Sequence, residues 1–381
     1  MAELRVLQVG KFYPPDEGGM ESHLAGLCQH LRDRVHLEVL VSSRMRRTTH
    51  EVIDGVPVTR VGTLATVRSA PISPALRRCI RQSNADIVHL HHPNPSAFLS
   101  YLVSGYHGRL IVTYHSDVVQ QRLLNLVYEP IVRAVLERAD AIIVSSQEYM
   151  DTSPMLERSR DRCAVIPMAI EPARFATADA GVVAAIRRAY GPRMVLAVGR
   201  LVYYKGLEFL VRAMRQVRGH AVIVGQGPMR EALAAEVQAL GLEDRITLLG
   251  HVPDPLPYYH AARVFALPSH MRSEAFGIVQ LEAMASGLAV VNARIPSGVP
   301  GVSIDGITGI TVPPADPPAL AAAINTLLDD PVLARQLGNA GRQRVVERYS
   351  LEGMANRTLA LYEHVRSSEA PRAERRAHAG A

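Results

Sequence analysis

A pair of glutamates in the last third of the chain has the spacing of a site for hydroxyl-rich ligands. The segment Glu274-Ala-Phe-Gly-Ile-Val-Gln-Leu-Glu282 leads into a helical pattern. If the helix begins near Phe276, its free N–H groups point toward whatever precedes it and favour anions or hydroxyls. Glu282 can then accept hydrogen bonds from both hydroxyls of a vicinal diol such as a ribose, because a carboxylate is acceptor-only. The alternative is a helix-terminal carboxylate and an ordinary surface glutamate.

A second segment, Gly199-Arg-Leu-Val-Tyr-Tyr-Lys-Gly206, follows an apolar strand pattern and opens a helix. Gly199 permits a tight turn, and Arg200 and Lys205 fall where a pyrophosphate lies at the carboxyl end of a strand. The chain contains only two lysines, Lys11 and Lys205, and lysine acts at a phosphate as a compact point charge. Without a ligand, cations at the start of a helix are electrostatically unfavourable.

Three further segments carry weaker signals. Gly18 and Gly19 precede the first predicted helix and could let backbone N–H groups approach a phosphate, although they also suit a flexible turn. The segment Gly225-Gln-Gly-Pro228 is half of a G-x-G-x-x-G dinucleotide fingerprint, and no full fingerprint follows the first strand. His115 ends a predicted strand, where it could bind a sugar hydroxyl with Asp117 as its partner, or be structural.

Length and composition suit two packed α/β domains. The chain has 381 residues, of which 48% are apolar and 20% charged, and this argues against disorder. No apolar run is long enough to cross a bilayer, and the first residues lack the features of a signal peptide, so we expect a cytoplasmic protein. The three cysteines have neither disulfide nor zinc spacing. No cysteine or carboxylate cluster accompanies His89, His91 and His92, so no metal site is predicted.

Arginines are concentrated between Leu40 and Arg81, where the only acidic residues are Glu51 and Asp54. The arginines of this stretch are Arg44, Arg46, Arg47, Arg60, Arg68, Arg77, Arg78 and Arg81. Such a surface can serve a nucleic acid, an anionic membrane or a pyrophosphate-bearing substrate, or be an ordinary solvated face. The small number of aromatic residues, the absence of tryptophan and the lack of a recognised module argue against a nucleic acid.

Strand and helix patterns alternate along the chain, as in parallel sheets with crossover helices. The predicted strands are Leu4–Val9, His36–Val41, Asp86–Leu90, Leu110–Tyr114, Ala141–Val144, Ala164–Ile166, Met194–Val198, Ala221–Val224, Ile246–Leu249, Val264–Ala266 and Ala289–Val291. The predicted helices are Gly19–Leu31, Leu123–Arg138, Gly206–Gln216, Met229–Leu240, Phe276–Ala285, Ala319–Leu328, Pro331–Arg348 and Leu351–Val365.

A break in this rhythm around Pro172, Gly181 and Pro192 indicates a linker between two doubly wound domains. Sheets of this kind bind ligands beyond the carboxyl ends of their strands. The predicted divisions are residues 1–170 for the N-terminal domain, 171–192 for the linker, 193–348 for the C-terminal domain, 349–366 for a C-terminal helix and 367–381 for a disordered tail.

Together these segments resemble the pattern of glycosyltransferase family 4 over the chain up to about Val365. The paired glycines, the strand-end histidine, the Gly-Arg and Lys-Gly segment, the Gly-x-Gly-Pro turn and the paired glutamates occur in the family's order. The stretches TYHSDVVQQ (113–121), Arg200–Gly206 and PSHMRSEAFG (268–277) are similar to those of bacterial mannosyltransferases of O-antigen and exopolysaccharide assembly. The resemblance implies the GT-B fold: α/β, with two Rossmann-like doubly wound domains facing across a cleft. The C-terminal helix is expected to cross back to the N-terminal domain.

The resemblance also implies a donor site. Arg200 and Lys205 would neutralise the donor diphosphate in place of a metal, and Glu282 would hold the ribose hydroxyls. Glu274 would hold the transferred sugar, and His115 would contact it near its C6 hydroxyl from the opposite domain. The other residues expected along the donor are Ala275, Phe276 and Gly277 through their amides, Gly199 and Gly225, Gly18 and Gly19 on the phosphate side of the acceptor cleft, and His251 and Val252 near the base. Gln280 and residues 292–301 would tune donor preference.

The activity implied is that of a retaining, metal-independent hexosyltransferase that needs no cofactor. It would move a sugar, by expectation mannose from GDP-mannose, to a lipid-linked or polysaccharide acceptor of the cell surface, with no covalent nucleophile. Arg44, Arg46, Arg47, Arg77, Arg78 and Arg81 would bring the protein to the anionic inner membrane face. Alternatives are a UDP-sugar-dependent transferase of the same family, a GT-B epimerase or phosphorylase, and a non-catalytic nucleotide- or nucleic-acid-binding protein.

Overall fold

The computed structural model describes residues 3–16, 18–67, 70–117 and 122–368. These residues form two compact units. One unit holds the described residues up to Met168 and those from Leu351 onward, and the other runs from Ala169 to Ser350. None of the helices formed by the described residues has the length and apolar character needed to cross a membrane.

The first unit has a central, mostly parallel sheet. Its strands are β1 (Arg5–Val9), β2 (His36–Ser42), β3 (Thr49–Ile53), β4 (Val56–Val61), β5 (Ala65–Val67), β6 (Ala70–Ile72), β7 (Ile87–His92), β8 (Arg109–Tyr114), β9 (Ala141–Val144) and β10 (Cys163–Val165). The order in the sheet is β10-β9-β8-β7-β1-β2-β4-β3, with β5 and β6 forming a separate hairpin. Strands β7, β8 and β9 are buried along their whole length, as expected for parallel strands covered on both faces.

Helices of this unit lie between the strands. They are α1 (Gly19–Leu31), α2 (Leu76–Gln82), α3 (Pro95–Leu102), α4 (Arg122–Arg138) and α5 (Gln147–Thr152), with a 3-10 turn at Glu157–Arg162. Asn94 caps α3, because its side chain accepts a hydrogen bond from the Ala97 N–H. The same side chain donates to the Gly10 carbonyl at 2.8 Å, which ties the ends of β1 and β7 together.

The second unit is wholly parallel. Its strands are β11 (Met194–Val198), β12 (His220–Val224), β13 (Ile246–Gly250), β14 (Val264–Leu267), β15 (Ala289–Ala293) and β16 (Gly309–Val312). Its helices are α6 (Ala180–Tyr190), α7 (Leu207–Ala213), α8 (Arg230–Ala239), α9 (Leu256–Ala261), α10 (Ile278–Ala285), α11 (Val299–Val302), α12 (Pro317–Asp329) and α13 (Pro331–Arg348), with 3-10 turns at Pro172–Phe175 and Tyr203–Lys205. The order of strands across the sheet is β13-β12-β11-β14-β15-β16. Successive strands are therefore added toward one edge from β11 to β13 and toward the opposite edge from β14 to β16, so the strand order reverses between β11 and β14.

The last helix, α14 (Leu351–Ser367), belongs to the first unit. Leu351 packs so closely on α1 that a Cβ at Gly26 would lie 2.8 Å from its Cδ2, and Arg34 donates to the Asn356 side chain at 2.7 Å. The prediction that the C-terminal helix crosses back to the N-terminal domain is therefore confirmed. From residue 369 onward, the predicted tail lies outside the described residues.

Every predicted strand is present, but the sequence analysis did not indicate β3 to β6 or β16. Strand β3 has no buried residue and β5 is fully exposed, so neither carries the hydrophobic alternation on which strand prediction depends.

The segment 171–192, predicted as a linker, is packed into the second unit. Val183 and Ile186 of α6 are buried, and the Arg187 side chain donates to the His260 carbonyl at 2.7 Å. Pro172 and Gly191 mark helix boundaries inside this unit. Pro172 begins a 3-10 turn, and Gly191, with φ of 81°, follows the end of α6.

Candidate active site

Two loops meet where the second sheet reverses its strand order. Strands β11 and β14 are neighbours, and the loops that follow them are Gly199–Gly206 and Pro268–Gly277. In an open parallel sheet this position, at the carboxyl edge, is where ligands bind. The two segments that carry the strongest sequence signals thus lie side by side.

Lys205 and Glu274 form an ion pair across these loops. Lys205 Nζ lies 2.6 Å from Glu274 Oε2, and the two side chains are 11% and 10% exposed. The Ser269 hydroxyl also donates to Glu274 Oε2, at 3.2 Å. Removing two charges from water is costly unless they are paired and hydrogen-bonded, as these are. The sequence predicted a site role for each residue but not their contact.

Glycines allow the close approach of the loops. Gly206 has φ of 64°, and a Cβ there would overlap the Pro268 carbonyl oxygen. Gly199 has φ of 143°, and a Cβ there would lie 3.3 Å from both Cε and Nζ of Lys205. A side chain at either position would strain the backbone; one at Gly199 would also displace Lys205, and one at Gly206 would push the two loops apart.

The loop before α10 places three backbone amides beside Glu274. Gly277 adopts the left-handed conformation, with φ of 73°, and α10 begins at Ile278. The expectation that the helix begins near Phe276 is therefore wrong by two residues, because a left-handed residue interrupts helical geometry. Ala275, Phe276 and Gly277 are buried, and among the described residues their N–H groups have no hydrogen-bond acceptor. Buried donors of this kind favour a ligand that accepts hydrogen bonds.

Glu282 lies on the second turn of α10 and is held by a tyrosine. The Tyr259 hydroxyl, on α9, donates to Glu282 Oε2 at 2.7 Å. Burial raises the pKa of Glu282, while the Tyr259 hydrogen bond and the charges of Arg174 and Lys205 act to lower it. One carboxylate oxygen is thus fixed by Tyr259, and the other can accept from a ligand.

Gly225 and Gly227 bring the loop after β12 against the loop after β11. A Cβ at Gly225 would overlap the Gly199 carbonyl oxygen, and one at Gly227 would overlap that of Leu201. Leu201 N–H in turn donates to the Gln226 carbonyl at 2.9 Å. Gly225, which was predicted as donor-binding, therefore has a packing role that the sequence did not reveal, and so does Gly227.

The remaining predicted residues of the second unit lie along the same edge of the sheet. Arg200 is exposed and hydrogen-bonds to Tyr204, whose pKa is raised mainly by burial. Val252 is half-buried and His251 exposed, both just after β13.

Gln280 has a structural role that the sequence did not predict. It is fully buried, and its amide donates to the Phe276 carbonyl at 2.8 Å and to the Val299 carbonyl at 3.2 Å. The Asn292 amide donates to Gln280 Oε1 at 3.3 Å and to the Val299 carbonyl at 3.2 Å. The two amides fasten the loop before α10 to the start of α11, and their polar atoms are used within the protein.

In the first unit, Gly18 and Gly19 lie at the start of α1. Gly18 is the N-cap, with extended backbone, and its carbonyl accepts from the Ser22 N–H at 2.9 Å. A Cβ at Gly18 would meet only the flexible end of the Glu21 side chain. The Glu21 carboxylate thus lies beside the start of this helix, and the phosphate contact of Gly18 and Gly19 stays a prediction.

His115 is buried in a cluster of histidines, and its partner is not Asp117. His91 Nδ1 lies 3.2 Å from His115 Nε2, and the His23 ring packs edge-on against His115 with centroids 4.9 Å apart. Asp117 accepts instead from the hydroxyls of Tyr114, at 2.7 Å, and Ser153, at 2.9 Å. The hypothesis that Asp117 orients His115 is therefore wrong, because these hydroxyls draw the carboxylate away from the ring.

The histidine rings are neutral at ordinary pH. Burial lowers the pKa of His23 to about 4 and that of His89 to about 3, and it lowers those of His91 and His115 well below the usual value. Neutral imidazoles can ligate metals, and one ring nitrogen from each of His23, His91 and His115 lies within 4.8 Å of the others. His91 Nδ1 and His115 Nε2 are hydrogen-bonded to each other, so these two nitrogens are satisfied without an ion.

Part of the basic stretch is neutralised within the first unit. Arg60 forms ion pairs with Glu51 and Asp16, and Arg44 pairs with Asp16. Arg46, Arg47, Arg77, Arg78 and Arg81 are exposed, and Arg68 lies outside the described residues. Exposed apolar side chains occur in the same region, with Met45 51%, Leu64 60% and Val67 47% exposed.

Four residues of these sites were not predicted from the sequence: Tyr259, Ser269, His23 and Gln8. Each is a common residue type in an unremarkable helix, loop or strand pattern, and each becomes significant only through a partner distant along the chain. For His23, the available signal was the presence of four other histidines, His89, His91, His92 and His115, at two neighbouring strand ends.

Comparison with known proteins found matches over both units. Residues 184–344 match the model described as glycosyl transferases group 1, and residues 17–174 match that of glycosyltransferase family 4. The O-antigen chain mannosyltransferase C of Escherichia coli is 32% identical over 365 residues, covering 94% of this chain and 98% of that protein. A GDP-mannose-dependent alpha-(1-6)-phosphatidylinositol monomannoside mannosyltransferase of Mycolicibacterium smegmatis is 30% identical over 369 residues, covering 90% and 94%.

Among solved structures, the sucrose-phosphate synthase of Thermosynechococcus elongatus has a similar fold. Its TM-score is 0.80 at 24% sequence identity, over 95% of this chain and 99% of that one. The predicted pair of Rossmann-like domains is thereby confirmed.

Proposed function

The chain belongs to glycosyltransferase family 4 and has the GT-B fold, and on this basis we propose that it transfers a mannosyl group from GDP-mannose to a glycan acceptor. The observation that carries the proposal is the buried Lys205–Glu274 pair at the strand-order reversal, with Glu282 on the helix that follows. Two of its relatives are named as mannosyltransferases, one of them as GDP-mannose-dependent. The acceptor we propose is a lipid-linked or polysaccharide glycan of the cell surface.

The donor contacts follow from the chemistry of each group. Glu282, held through one oxygen by Tyr259, accepts hydrogen bonds from the ribose hydroxyls. Lys205 and the exposed Arg200 neutralise the diphosphate, and Glu274 with the amides of Ala275, Phe276 and Gly277 binds the hydroxyls of the sugar. Cations and aligned amides near a leaving diphosphate stabilise the charge that grows on it in the transition state. We propose that they replace a metal ion.

The reaction proceeds with retention of configuration at the anomeric carbon. The bond from this carbon to the diphosphate oxygen breaks, and the bond to the acceptor oxygen forms on the same face of the sugar. The acceptor proton passes to the departing diphosphate. The protein contributes positioning and charge stabilisation rather than a nucleophile. A covalent sugar adduct on Glu274, detected by mass spectrometry, would contradict this route.

We further propose that the first unit contacts an anionic membrane. Thr63 N–H donates to the Met45 carbonyl, and Leu64 N–H to that of Ile72, each at 2.9 Å, so the exposed Met45, Leu64 and Ile72 lie on connected segments. Exposed Arg46 and Arg47 flank Met45. Apolar side chains with arginines beside them suit an interface of acyl chains and anionic headgroups. Arg46→Ser with Arg47→Ser should weaken sedimentation with phosphatidylglycerol vesicles, whereas Arg335→Ser, on α13, should not.

The donor is tested by incubating the protein, with EDTA present, with GDP-, UDP- and dTDP-sugars. Thermal stability and release of the nucleoside diphosphate are followed. A donor at about one hundred times its dissociation constant adds about 2.7 kcal/mol to stability. We expect GDP-mannose alone to give both signals, and Glu282→Ala to lose them while Glu231→Ala, an exposed control on α8, keeps them. A response to a UDP-sugar would replace the proposed donor, and loss of activity with EDTA would refute metal independence.

A further inference from the structure

A chain of buried polar side chains runs from His115 through the first sheet to the C-terminal helix. Its hydrogen bonds join His115 Nε2 to His91 Nδ1 at 3.2 Å and His91 Nε2 to Gln8 Oε1 at 3.0 Å. Gln8 Nε2 donates to the Tyr362 hydroxyl at 2.7 Å. The hydroxyl lies 2.6 Å from His89 Nδ1, and His89 Nε2 lies 2.7 Å from the Thr113 hydroxyl. All six side chains are at least nine-tenths buried.

The donor and the acceptor of each hydrogen bond in this series can be assigned. The carbonyl oxygen of the Gln8 amide only accepts, so His91 must carry its proton on Nε2. A neutral His91 then has a lone pair on Nδ1, and His115 Nε2 must be the donor to it. At the other end, Tyr362 accepts from Gln8 and donates to His89 Nδ1, so His89 Nε2 donates to Thr113. No donor faces a donor along the whole chain.

We propose that Gln8 and Tyr362 are positioning residues that hold His115 in a single tautomer. In this tautomer the proton is on Nε2, and Nδ1 presents a lone pair. The ring nitrogen left for a ligand is therefore a hydrogen-bond acceptor. The neutrality of the histidines, which follows from their burial, supports this assignment because each ring then carries one proton.

The tautomer matters for transfer, and this step rests on the proposed function and on the contact of His115 with the donor sugar that the resemblance to the family implies. Positive charge grows on the sugar ring as the bond to the diphosphate breaks. A sugar hydroxyl that donates its proton to His115 Nδ1 gains electron density on its oxygen, which stabilises the positive charge on the ring. A sugar hydroxyl that accepts a hydrogen bond from an N–H loses electron density from its oxygen, which stabilises that charge less. The acceptor tautomer thus stabilises the transition state more than the bound donor, and its loss should lower kcat more than it raises KM.

The same six hydrogen-bonding groups have one alternative pattern. If the Gln8 amide is rotated by half a turn, every donor and acceptor exchanges, and His115 carries its proton on Nδ1. Ring-15N NMR distinguishes the two patterns in the intact protein without any substrate. The signals of His115 are assigned by their loss in His115→Gln. We expect a protonated Nε2 and an unprotonated Nδ1, and the reverse result would overturn the proposal.

Two substitutions at one position separate a positioning role from a structural one. Gln8→Glu, whose buried carboxyl is neutral, keeps a carbonyl oxygen that accepts from His91 and a hydroxyl that donates to Tyr362 as the Gln8 amide does, so the His115 tautomer should remain. Gln8→Leu removes the acceptor, and both tautomers should appear. With the donor, kcat should fall about tenfold or more in Gln8→Leu, with KM changed less than about threefold. Gln8→Glu should stay within about threefold of the wild type in kcat.

Tyr362→Phe provides a second test if Gln8→Leu does not fold. It frees the amide to rotate, so the second tautomer should become visible. Tyr106→Phe is the matched control, because it removes a hydroxyl that donates to the Ala85 carbonyl at 2.9 Å in the same unit, outside the chain of hydrogen bonds. An unchanged tautomer in both Gln8→Leu and Tyr362→Phe would refute the proposal. The expected tautomer together with an absence of donor turnover would instead refute the proposed function alone.

Discussion

Replacing Lys205 with methionine should destabilise the second unit strongly, because it leaves Glu274 buried without its counter-charge. The two side chains are 11% and 10% exposed and 2.6 Å apart. Removing one partner of a buried ion pair costs about 3–5 kcal/mol, whereas replacing both partners with apolar residues is often close to neutral. We therefore expect Lys205→Met to cost about 3–5 kcal/mol and the double variant, with Glu274→Leu, to recover most of this loss.

The assay is a double-mutant cycle on urea-induced unfolding, followed by circular dichroism. The Arg212–Glu236 pair is a matched control, because its atoms are also 2.6 Å apart while its side chains are 49% and 23% exposed. Its coupling energy should be below about 1 kcal/mol, whereas that of Lys205 and Glu274 should be about 3 kcal/mol or more, because the second substitution recovers most of what the first one costs. Equal coupling energies for the two pairs would refute the argument that burial makes the first pair strong. All three variants of the first pair should lose transferase activity, since stability and donor binding depend on the same groups.

Three other predictions follow from the same two units. Gly225→Ala should lower the melting temperature and abolish donor binding, because a Cβ would overlap the Gly199 carbonyl oxygen. The control is Gly105→Ala, where φ is 74° and no atom lies within 4 Å of the added Cβ, and it should cost only about 1 kcal/mol of stability. Equal losses of stability in the two variants would contradict this reasoning. Because burial raises the pKa of Glu282, the folded state binds its proton more tightly than the unfolded state. The stability of the wild type relative to Glu282→Gln should therefore fall as pH rises through the raised pKa, and a pH-independent difference in melting temperature would count against it. Because the pKa of His23 is lowered to about 4, its contribution to stability is present above the usual histidine pKa and is lost as pH falls toward 4. His23→Gln should reduce the slope of unfolding free energy against pH by up to about 1.4 kcal/mol per pH unit in that range, and an unchanged slope would show that His23 is not the group concerned.

Much of the fold was predictable because its signals are local. Parallel strands buried on both faces are apolar runs in the sequence. The predicted ends of β11 and β14 therefore agree with the observed ends to within one residue. The strands β3 and β5 were missed because they are exposed at an edge or in a hairpin. The prediction of a linker was wrong because proline and glycine mark the ends of short helices as well as the ends of domains, and here Pro172 and Gly191 mark helix ends.

The sequence alone determined which residues could carry the chemistry. Arg200, Lys205, Glu274 and Glu282 lie in segments whose order and spacing are visible without any structure, because motif spacing is a property of the chain. The same is true of His115 at the end of its strand. These features were enough to indicate the family and the fold.

Only the tertiary structure decided the partners of those residues. Glu274 pairs with Lys205, Glu282 with Tyr259, and His115 with His91 rather than Asp117. Each contact joins elements that the sheet order brings together, and no pattern of neighbouring residues encodes which strand ends will meet. The physical reason is that a buried polar group must find a partner within hydrogen-bond distance, and that distance is set by packing rather than by position along the chain.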